Sequence, residues 1–351
     1  MSLSFLLSPL ADLSRLLPIS PSRPPRFLLL PPAMSAAPAT RKLRVLCLHG
    51  FFQSSPVFRM KTAGLRRALK TCADLDYLQA PHALSDADQF KGKTELGIPE
   101  DTHFAWWKFQ QPANASGSAA SSSAPQRYLG WEASLAHLRA HVAAHGSYDA
   151  YLGFSQGAAF LTLVAALANL QKQAPQKMRE IAAKSGEAPQ DLSFFLQTPA
   201  ASASDATQDP LADAAAASSS SSSGSASGPL LVFVSGFIPR VAHLKQFFPR
   251  PLAPSSAASS AAAAAAAAVP VAAGSSSLAT PDPFAFDPDV PLLSFPSLHI
   301  YGLGDADVSP LESDTLSRAF NAPNISTHPG GHLVPNSAEF CRVYKQFLGR
   351  E

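Results

Sequence analysis

The chain has 351 residues, of which 46% are hydrophobic, and a formal net charge of +2. This length allows one large or two ordinary domains. The near-neutral charge, without a basic stripe or an RNA-binding motif, gives no support for nucleic-acid binding. Because no run of about eighteen bulky apolar residues occurs, we expect no integral membrane segment. The three cysteines are widely spaced and odd in number, which fits reduced thiols in an intracellular protein better than a disulfide framework.

Residues 1–40 differ in composition from the rest of the chain. They contain three arginines, several serines and prolines, and Asp12 as the one acid. This composition favours a disordered extension, and the alternative is a transit peptide for a plastid or a mitochondrion. Translation from Met34 instead of Met1 would remove most of the segment. We therefore expect a cytoplasmic protein unless these residues direct import.

Apolar runs and helical spacing alternate along the remaining chain. A near-continuous apolar run at 43–49 ends in His49-Gly50 and predicts a strand that is buried on both faces. The other predicted elements are a helix at 57–71, a strand at 75–79, a helix at 131–145, a strand at 148–154, a helix at 158–170, a strand at 230–237, a strand at 297–302, a helix at 311–320, a strand at 324–328 and a helix at 336–348.

This alternation of strands and helices predicts an α/β fold with a mostly parallel sheet and helices on both faces. Three Ser/Ala-rich tracts, at about 112–126, 198–228 and 253–281, cannot bury a core, and we expect them to be disordered insertions between elements. Without them and the N-terminal segment about 240 residues remain, a plausible size for one α/β domain. We therefore expect a single domain over residues 41–350.

The strand–helix junction at Gly153-Phe154-Ser155-Gln156-Gly157 carries the most specific signal in the chain. Gly-x-Ser-x-Gly between a strand and a helix is the nucleophile elbow of an α/β-hydrolase, in which the serine hydroxyl projects above the sheet. A serine needs a base to remove its proton before it attacks a carbonyl. The pattern therefore predicts Ser155 as a catalytic nucleophile whose base is a histidine further along the chain.

Four histidines follow Ser155: His243, His299, His328 and His332. His332 comes after Gly330-Gly331 in a loop behind the last strand, from which an imidazole reaches back over the sheet, so we predict it as the base. The acid that orients this ring should lie between serine and histidine in the chain. Asp305 and Asp307 are the candidates, and we favour Asp305, three residues after the strand-ending Gly302.

A tetrahedral intermediate also needs backbone N–H donors for its oxyanion. The N–H of Gln156, directly after the nucleophile, and that of Phe51, in the loop after the first strand, are the predicted donors. No metal-ligand spacing, phosphate-binding loop or dinucleotide fingerprint occurs, so we expect no metal and no cofactor. Trp106, Trp107 and Phe109 either line an acyl pocket or pack in the core, and the sequence leaves both open.

Six motifs, in this order, resemble the FSH family of serine hydrolases: Leu46-Cys47-Leu48-His49-Gly50-Phe51-Phe52-Gln53-Ser54, Ala80-Pro81-His82, Leu152-Gly153-Phe154-Ser155-Gln156-Gly157-Ala158, Ser235-Gly236-Phe237, His299-Ile300-Tyr301-Gly302 through Asp305, and Gly330-Gly331-His332. The resemblance implies a compact α/β-hydrolase fold without a large cap domain. It also implies action on carboxylic esters and the triad Ser155, Asp305 and His332. The Ser/Ala-rich tracts depart from the family pattern and put the shape of the pocket in doubt.

The expected function is therefore that of a serine carboxylesterase (EC 3.1.1.-) acting on a small-molecule acyl ester through an acyl-enzyme intermediate. An acyl-thioesterase would use the same machinery. A non-catalytic binding protein on this fold is the other alternative, against which the presence of Ser155, Asp305 and His332 argues. The natural substrate, the acyl chain length and the oligomeric state are left open.

Overall fold

A six-stranded parallel sheet forms the centre of the protein in a computed structural model that describes residues 41–84, 103–109, 127–185, 190–199, 228–251 and 289–349. The predicted extension at 1–40 lies outside these residues, as do the three Ser/Ala-rich tracts apart from residues 198, 199 and 228. The sheet strands are β1 (Leu43–Leu48), β2 (Ala73–Leu78), β7 (Ala150–Phe154), β8 (Leu230–Val234), β9 (Ser297–Gly302) and β10 (Asn324–His328).

Four strands of two residues each form two small antiparallel pairs beside the main sheet. They are β3 (His82–Ala83), which pairs with β4 (Phe104–Ala105), and β5 (Lys108–Phe109), which pairs with β6 (Tyr128–Leu129). The helices are α1 (Ser55–Lys61), α2 (Ala63–Leu69), α3 (Trp131–His145), α4 (Gln156–Gln173), α5 (Pro175–Ser185), α6 (Ser193–Leu196), α7 (Ala242–Lys245), α8 (Pro310–Ser317) and α9 (Ala338–Phe347).

The order of the strands across the sheet is β2-β1-β7-β8-β9-β10, and every neighbouring pair is parallel. The chain runs from β1 outward to β2 and then returns to place β7 on the other side of β1. The direction of winding therefore reverses between β1 and β7, which is where open α/β sheets form a ligand crevice beyond the carboxyl ends of the strands. This arrangement confirms the predicted fold class.

Two hydrophobic cores lie on opposite faces of the sheet. Alternate residues of β1 divide between them, because successive side chains of a strand point to opposite faces. Val45 and Cys47 belong to a core with α1, α2 and α9, whereas Leu46 and Leu48 belong to a core with α3, α4, α6 and α8. Burial on both faces explains why β1, β7 and β8 read as continuous apolar runs instead of alternating patterns.

The helix predicted at 57–71 is in fact two helices, and this part of the prediction is wrong. Thr62 separates α1 from α2 with φ −97° and ψ 15°. Its hydroxyl donates to the carbonyl oxygen of Phe58 at 2.8 Å and also lies 2.7 Å from the hydroxyl of Tyr77 on β2. The hydroxyl shares the Phe58 carbonyl with the Thr62 N–H, which donates to it at 3.0 Å, and a threonine that bonds back to the preceding turn in this way bends a helix. Within the described ranges, no helix is long and apolar enough to cross a bilayer.

Candidate active site

The turn between β7 and α4 holds Ser155 in a strained conformation. Its φ is 54° and its ψ is −118°, a backbone conformation that residues other than glycine rarely adopt. The flanking glycines allow the turn. A Cβ on Gly153 would lie 2.5 Å from the Cα of Ala158, and one on Gly157 would meet backbone oxygens at the end of β1. The turn thus presents the Ser155 hydroxyl at the reversal point of the sheet.

Three side chains from distant parts of the sequence form a continuous hydrogen-bonded row. The Nε2 of His332 lies 2.9 Å from the Oγ of Ser155, and its Nδ1 lies 2.8 Å from the Oδ2 of Asp305. Because a carboxylate only accepts, Nδ1 carries the proton and Nε2 accepts from the serine hydroxyl. The structure therefore brings the sequence-predicted nucleophile, base and acid together in the order in which a serine hydrolase needs them.

Asp305 is held by backbone donors as well as by His332. Its Oδ1 accepts hydrogen bonds from the backbone N–H groups of Asp307 and Val308, both at 3.0 Å, and its side chain has no solvent exposure. Burial alone would raise the pKa of this carboxyl, but the hydrogen bonds from His332 and Val308 outweigh it and hold the pKa below its ordinary value. Asp305 therefore carries a negative charge at neutral pH, whereas the alternative Asp307 has an exposed side chain.

The loop after β1 lies directly against the nucleophile. A Cβ on Gly50 would be 3.2 Å from the Cβ of Ser155. In the described part of the chain, the N–H groups of Phe51 and Gln156 donate to no other protein group. Phe52, in contrast, has a positive φ of 62° and donates its N–H to the carbonyl of Phe104 at 3.1 Å. The two free N–H groups are those predicted from the sequence as oxyanion donors.

His49 supports this loop and is a structural residue that the sequence did not identify. Its Nε2 accepts a hydrogen bond from the N–H of Ala80 at 3.0 Å, and its Nδ1 lies 2.8 Å from the carbonyl oxygen of Gly50. Burial lowers the pKa of His49 to about 4, although the bond to Gly50 acts in the opposite direction. The ring is therefore neutral near pH 7 and joins the loop after β1 to the end of β2.

The two tryptophans considered for an acyl pocket pack in the core instead. Trp106 and Trp107 both have zero exposure. The Trp106 ring stacks on Phe160 with centroids 4.9 Å apart, and the Trp107 ring stacks on Tyr128 at 4.6 Å. The pocket interpretation is therefore wrong for these two residues. Phe109 is half-buried, with its ring edge-on to that of Phe51 at 5.6 Å.

The other downstream histidines do not reach Ser155. His243 lies on α7, and His328 is buried at the end of β10. His299 is 1% exposed within β9, where its Nε2 lies 3.0 Å from the Ser297 hydroxyl. Among the described residues, no cluster of three or more His, Cys, Asp or Glu side chains could hold a metal ion.

Comparison with curated proteins finds relatives over most of the chain. The human protein named Esterase OVCA2 is 29% identical over 313 residues, which cover 88% of this chain and 97% of the human one. The zebrafish (Danio rerio) protein of the same name is 25% identical over 325 residues, which cover 90% of this chain and 99% of its own. Both relatives therefore align over nearly their full length.

Among solved structures, Arabidopsis thaliana SOBER1 is similar to this chain with 12% sequence identity and a TM-score of 0.39. The superposition covers 88% of this chain and 99% of the SOBER1 chain. At this level of similarity the fold assignment rests on the sheet topology itself. A family model described as serine hydrolase (FSH1) matches residues 37–344. That match spans all six strands of the sheet and the row of Ser155, His332 and Asp305, and the chain belongs to the FSH1 family of serine hydrolases.

Proposed function

We propose that this protein is a serine carboxylesterase that hydrolyses small-molecule acyl esters without a cofactor. The observation that carries the proposal is the row in which the Nε2 of His332 lies 2.9 Å from the Ser155 hydroxyl while Asp305 lies 2.8 Å from the other ring nitrogen. Membership of a serine hydrolase family supports it. Curated relatives that align along most of the chain are named esterases.

In the first half of the reaction, the Oγ of Ser155 attacks the ester carbonyl carbon while the Nε2 of His332 accepts the hydroxyl proton. The carbonyl oxygen becomes an anion and accepts hydrogen bonds from the N–H groups of Phe51 and Gln156. Asp305, charged at neutral pH, stabilises the imidazolium. The imidazolium then gives its proton to the departing alkoxide, which leaves as the alcohol, and the acyl group stays on Ser155.

In the second half, a water molecule takes the place of the alcohol. The water oxygen attacks the acyl carbonyl carbon while His332 accepts a proton from the water. The N–H groups of Phe51 and Gln156 again donate to the oxyanion that forms. The collapse of this intermediate breaks the bond to the Oγ of Ser155, which regains its proton from the imidazolium. The products are a carboxylic acid and the free enzyme.

The aromatic rings beside the loop after β1 favour an apolar acyl or alkyl group. Phe51 and Phe109 are half-buried and contact each other edge-on. Phe51 also carries one proposed oxyanion donor, and we propose that the acyl or alkyl chain of the substrate contacts its ring. Apolar contact of this kind stabilises a bound hydrocarbon by about 25 cal/mol per Å² of area removed from water.

The test is an activity profile over p-nitrophenyl esters of graded acyl chain length, with Ser155→Ala and Ser193→Ala in parallel. Ser193 belongs to α6, where its hydroxyl bonds to the carboxylate of Asp191. We expect Ser155→Ala to lose at least ~10³-fold in kcat and Ser193→Ala to match the wild type. A Ser155→Ala protein with wild-type rates would refute the proposal, and a strong preference for acyl thioesters would make the enzyme a thioesterase.

We also propose that the reaction takes place in the cytoplasm, where the thiols of Cys47, Cys72 and Cys341 would stay reduced. The alternative is import into a plastid or mitochondrion through residues 1–40. Fluorescent fusions of the full chain and of a chain that begins at Met34 distinguish the two. Organellar fluorescence of the full chain alone would contradict the cytoplasmic assignment.

A further inference from the structure

The side chain of Gln156 makes contacts that its proposed role as a backbone donor does not require. The residue is 3% exposed, and its amide uses both of its ends. Its Oε1 accepts from the backbone N–H of Trp106 at 2.9 Å, and its Nε2 donates to the carbonyl oxygen of Trp107 at 3.0 Å. A buried amide whose oxygen and nitrogen are both hydrogen-bonded fixes the position of the backbone groups that it binds.

The segment that Gln156 binds is itself fastened to the loop after β1. The indole N–H of Trp106 donates to the carbonyl oxygen of His49 at 2.8 Å. Two residues earlier, Phe104 accepts from the N–H of Phe52 at 3.1 Å and donates its own N–H to the carbonyl of Gln53 at 3.0 Å. Residues 104–107, which we call the bridge segment, therefore hold the loop on both sides of Phe51.

We propose that the Gln156 side chain is a positioning residue that, through the bridge segment, sets the separation between the two oxyanion donors. The inference rests on the proposed esterase function. One donor, the N–H of Phe51, belongs to the loop after β1, and the other, the N–H of Gln156, belongs to the first turn of α4. Hydrogen bonds to an oxyanion weaken steeply outside a narrow range of distance and angle, so two donors from separate elements need a fixed spacing.

A purely structural role for these contacts makes a different prediction. If the amide only stabilised the fold, its loss would lower the melting temperature and leave kcat of the folded enzyme unchanged. If it positions the donors, its loss lowers kcat with little change in KM, because the oxyanion exists in the transition state and not in the bound ester. Affinity for an inhibitor that forms a tetrahedral adduct with Ser155 should fall by the same factor as kcat/KM.

The experiment compares Gln156→Met, Trp106→Phe and a control, Asn169→Leu, in the full chain. Gln156→Met keeps the size of the side chain without its hydrogen bonds. Trp106→Phe removes the indole donor and keeps a ring against Phe160. Asn169 is a second buried amide on α4, whose Nδ2 donates to the carbonyls of Pro291 and Leu292 at 3.2 and 3.3 Å. The Asn169→Leu variant therefore shows how the loss of a buried side-chain amide affects the enzyme when that amide does not contact the bridge segment.

For Gln156→Met we expect a fall in kcat of about 10- to 100-fold, KM within about threefold of wild type, and a matching loss of affinity for a trifluoromethyl ketone inhibitor. Trp106→Phe should change the same quantities in the same direction, and it decides the question if Gln156→Met fails to fold. Asn169→Leu should melt at a lower temperature with kcat and inhibitor affinity retained.

Wild-type kcat and inhibitor affinity in Gln156→Met, or the same losses in Asn169→Leu, would overturn the inference. These outcomes are distinct from a failure of the proposed function. In that case Ser155→Ala would remain active, whatever the Gln156 variants did. An enzyme that depends on Ser155 but is indifferent to Gln156→Met would disprove only the positioning role.

Discussion

At the scale of single residues, backbone hydrogen bonds fix the orientation of the Asp305 carboxylate. Two N–H groups of its own loop occupy Oδ1, which leaves Oδ2 for the Nδ1 of His332. A carboxylate fixed in this way selects the histidine tautomer in which Nε2 is free to accept the Ser155 proton. Asp307, two residues later, has an exposed side chain and contributes its backbone N–H to Asp305.

Asp305→Asn should therefore lower kcat by about 10³- to 10⁴-fold with little change in KM, because an amide favours the wrong tautomer of His332. Steady-state kinetics on a p-nitrophenyl ester measure the effect. Asp307→Asn is the matched control, and we expect its kcat to stay within about twofold of wild type. Equal losses in the two variants would mean that Asp305 has no special relation to the ring.

A residue of the candidate site could be predicted from the sequence where it lies in a loop directly after a predicted strand and where the chain order serine, acid, histidine identifies its role. This holds for Ser155, Asp305 and His332, which the structure brings together, while their catalytic roles stay a prediction. The side-chain contacts of Gln156 could not be predicted. They join positions 49 and 50 residues apart, and no local pattern reports which backbone groups a buried amide will meet.

At the scale of elements, the close approach of β9 to the loop after β10 brings His332 to Asp305. Gly302, the last residue of β9, has room for no side chain. A Cβ there would meet the carbonyl oxygens of Gly330 and Gly331 and would lie 2.9 Å from the His328 ring. A Cβ on Gly331 itself would be 3.4 Å from the carbonyl oxygen of Gly304, an ordinary contact.

Gly302→Ala should thus push the Gly330–Gly331 turn away from the sheet and displace His332. A shift of about 1 Å in a catalytic group costs on the order of 10²-fold in rate, so we expect a loss of that size in kcat/KM. Gly331→Ala, one residue before His332, should stay within about threefold of wild type. A Gly302→Ala enzyme with full activity would show that the approach of the two segments does not set the position of the histidine.

The long elements could be predicted and the short ones could not. All six sheet strands were within reach of sequence patterns, and their predicted bounds differ from the observed ones by a few residues. Four of them, β1, β7, β8 and β9, are buried on both faces and read as apolar runs, whereas β2 alternates and the edge strand β10 is largely exposed. The four two-residue strands β3 to β6 are too short for a periodic pattern to be visible. The division of the helix at Thr62 accompanies contacts of its hydroxyl with Phe58 and Tyr77, which helical spacing does not reveal.

At the scale of the whole molecule, neutral histidines are part of the buried structure. His299 packs against the rings of Phe233 and Phe320, which also contact each other, and burial lowers its pKa to about 3. The ordinary pKa of histidine is about 6.5. Between these two values the unfolded chain binds a proton that the folded protein does not, so acid favours unfolding.

The free energy of unfolding should consequently fall as the pH decreases from 6.5 towards 4. The ring of His299 accounts for about 3 kcal/mol of this loss by pH 4.5, at 1.36 kcal/mol per pKa unit. Urea unfolding at pH 7 and pH 4.5, for wild type and His299→Gln, measures it. The variant should lose less stability on acidification than the wild type, and an equal loss in both would contradict the assignment of a neutral buried ring.

The most direct test of the central claim, that His332 and Asp305 make Ser155 a nucleophile, is covalent labelling with a fluorophosphonate followed by mass-spectrometric mapping. The serine Oγ displaces fluoride from phosphorus, so the label reports nucleophilicity without knowledge of the natural ester. We predict one adduct, on Ser155, absent in Ser155→Ala and formed at least ~10²-fold more slowly in His332→Ala. Absence of label on Ser155 in the folded wild type, or equally fast labelling in His332→Ala, would contradict the account.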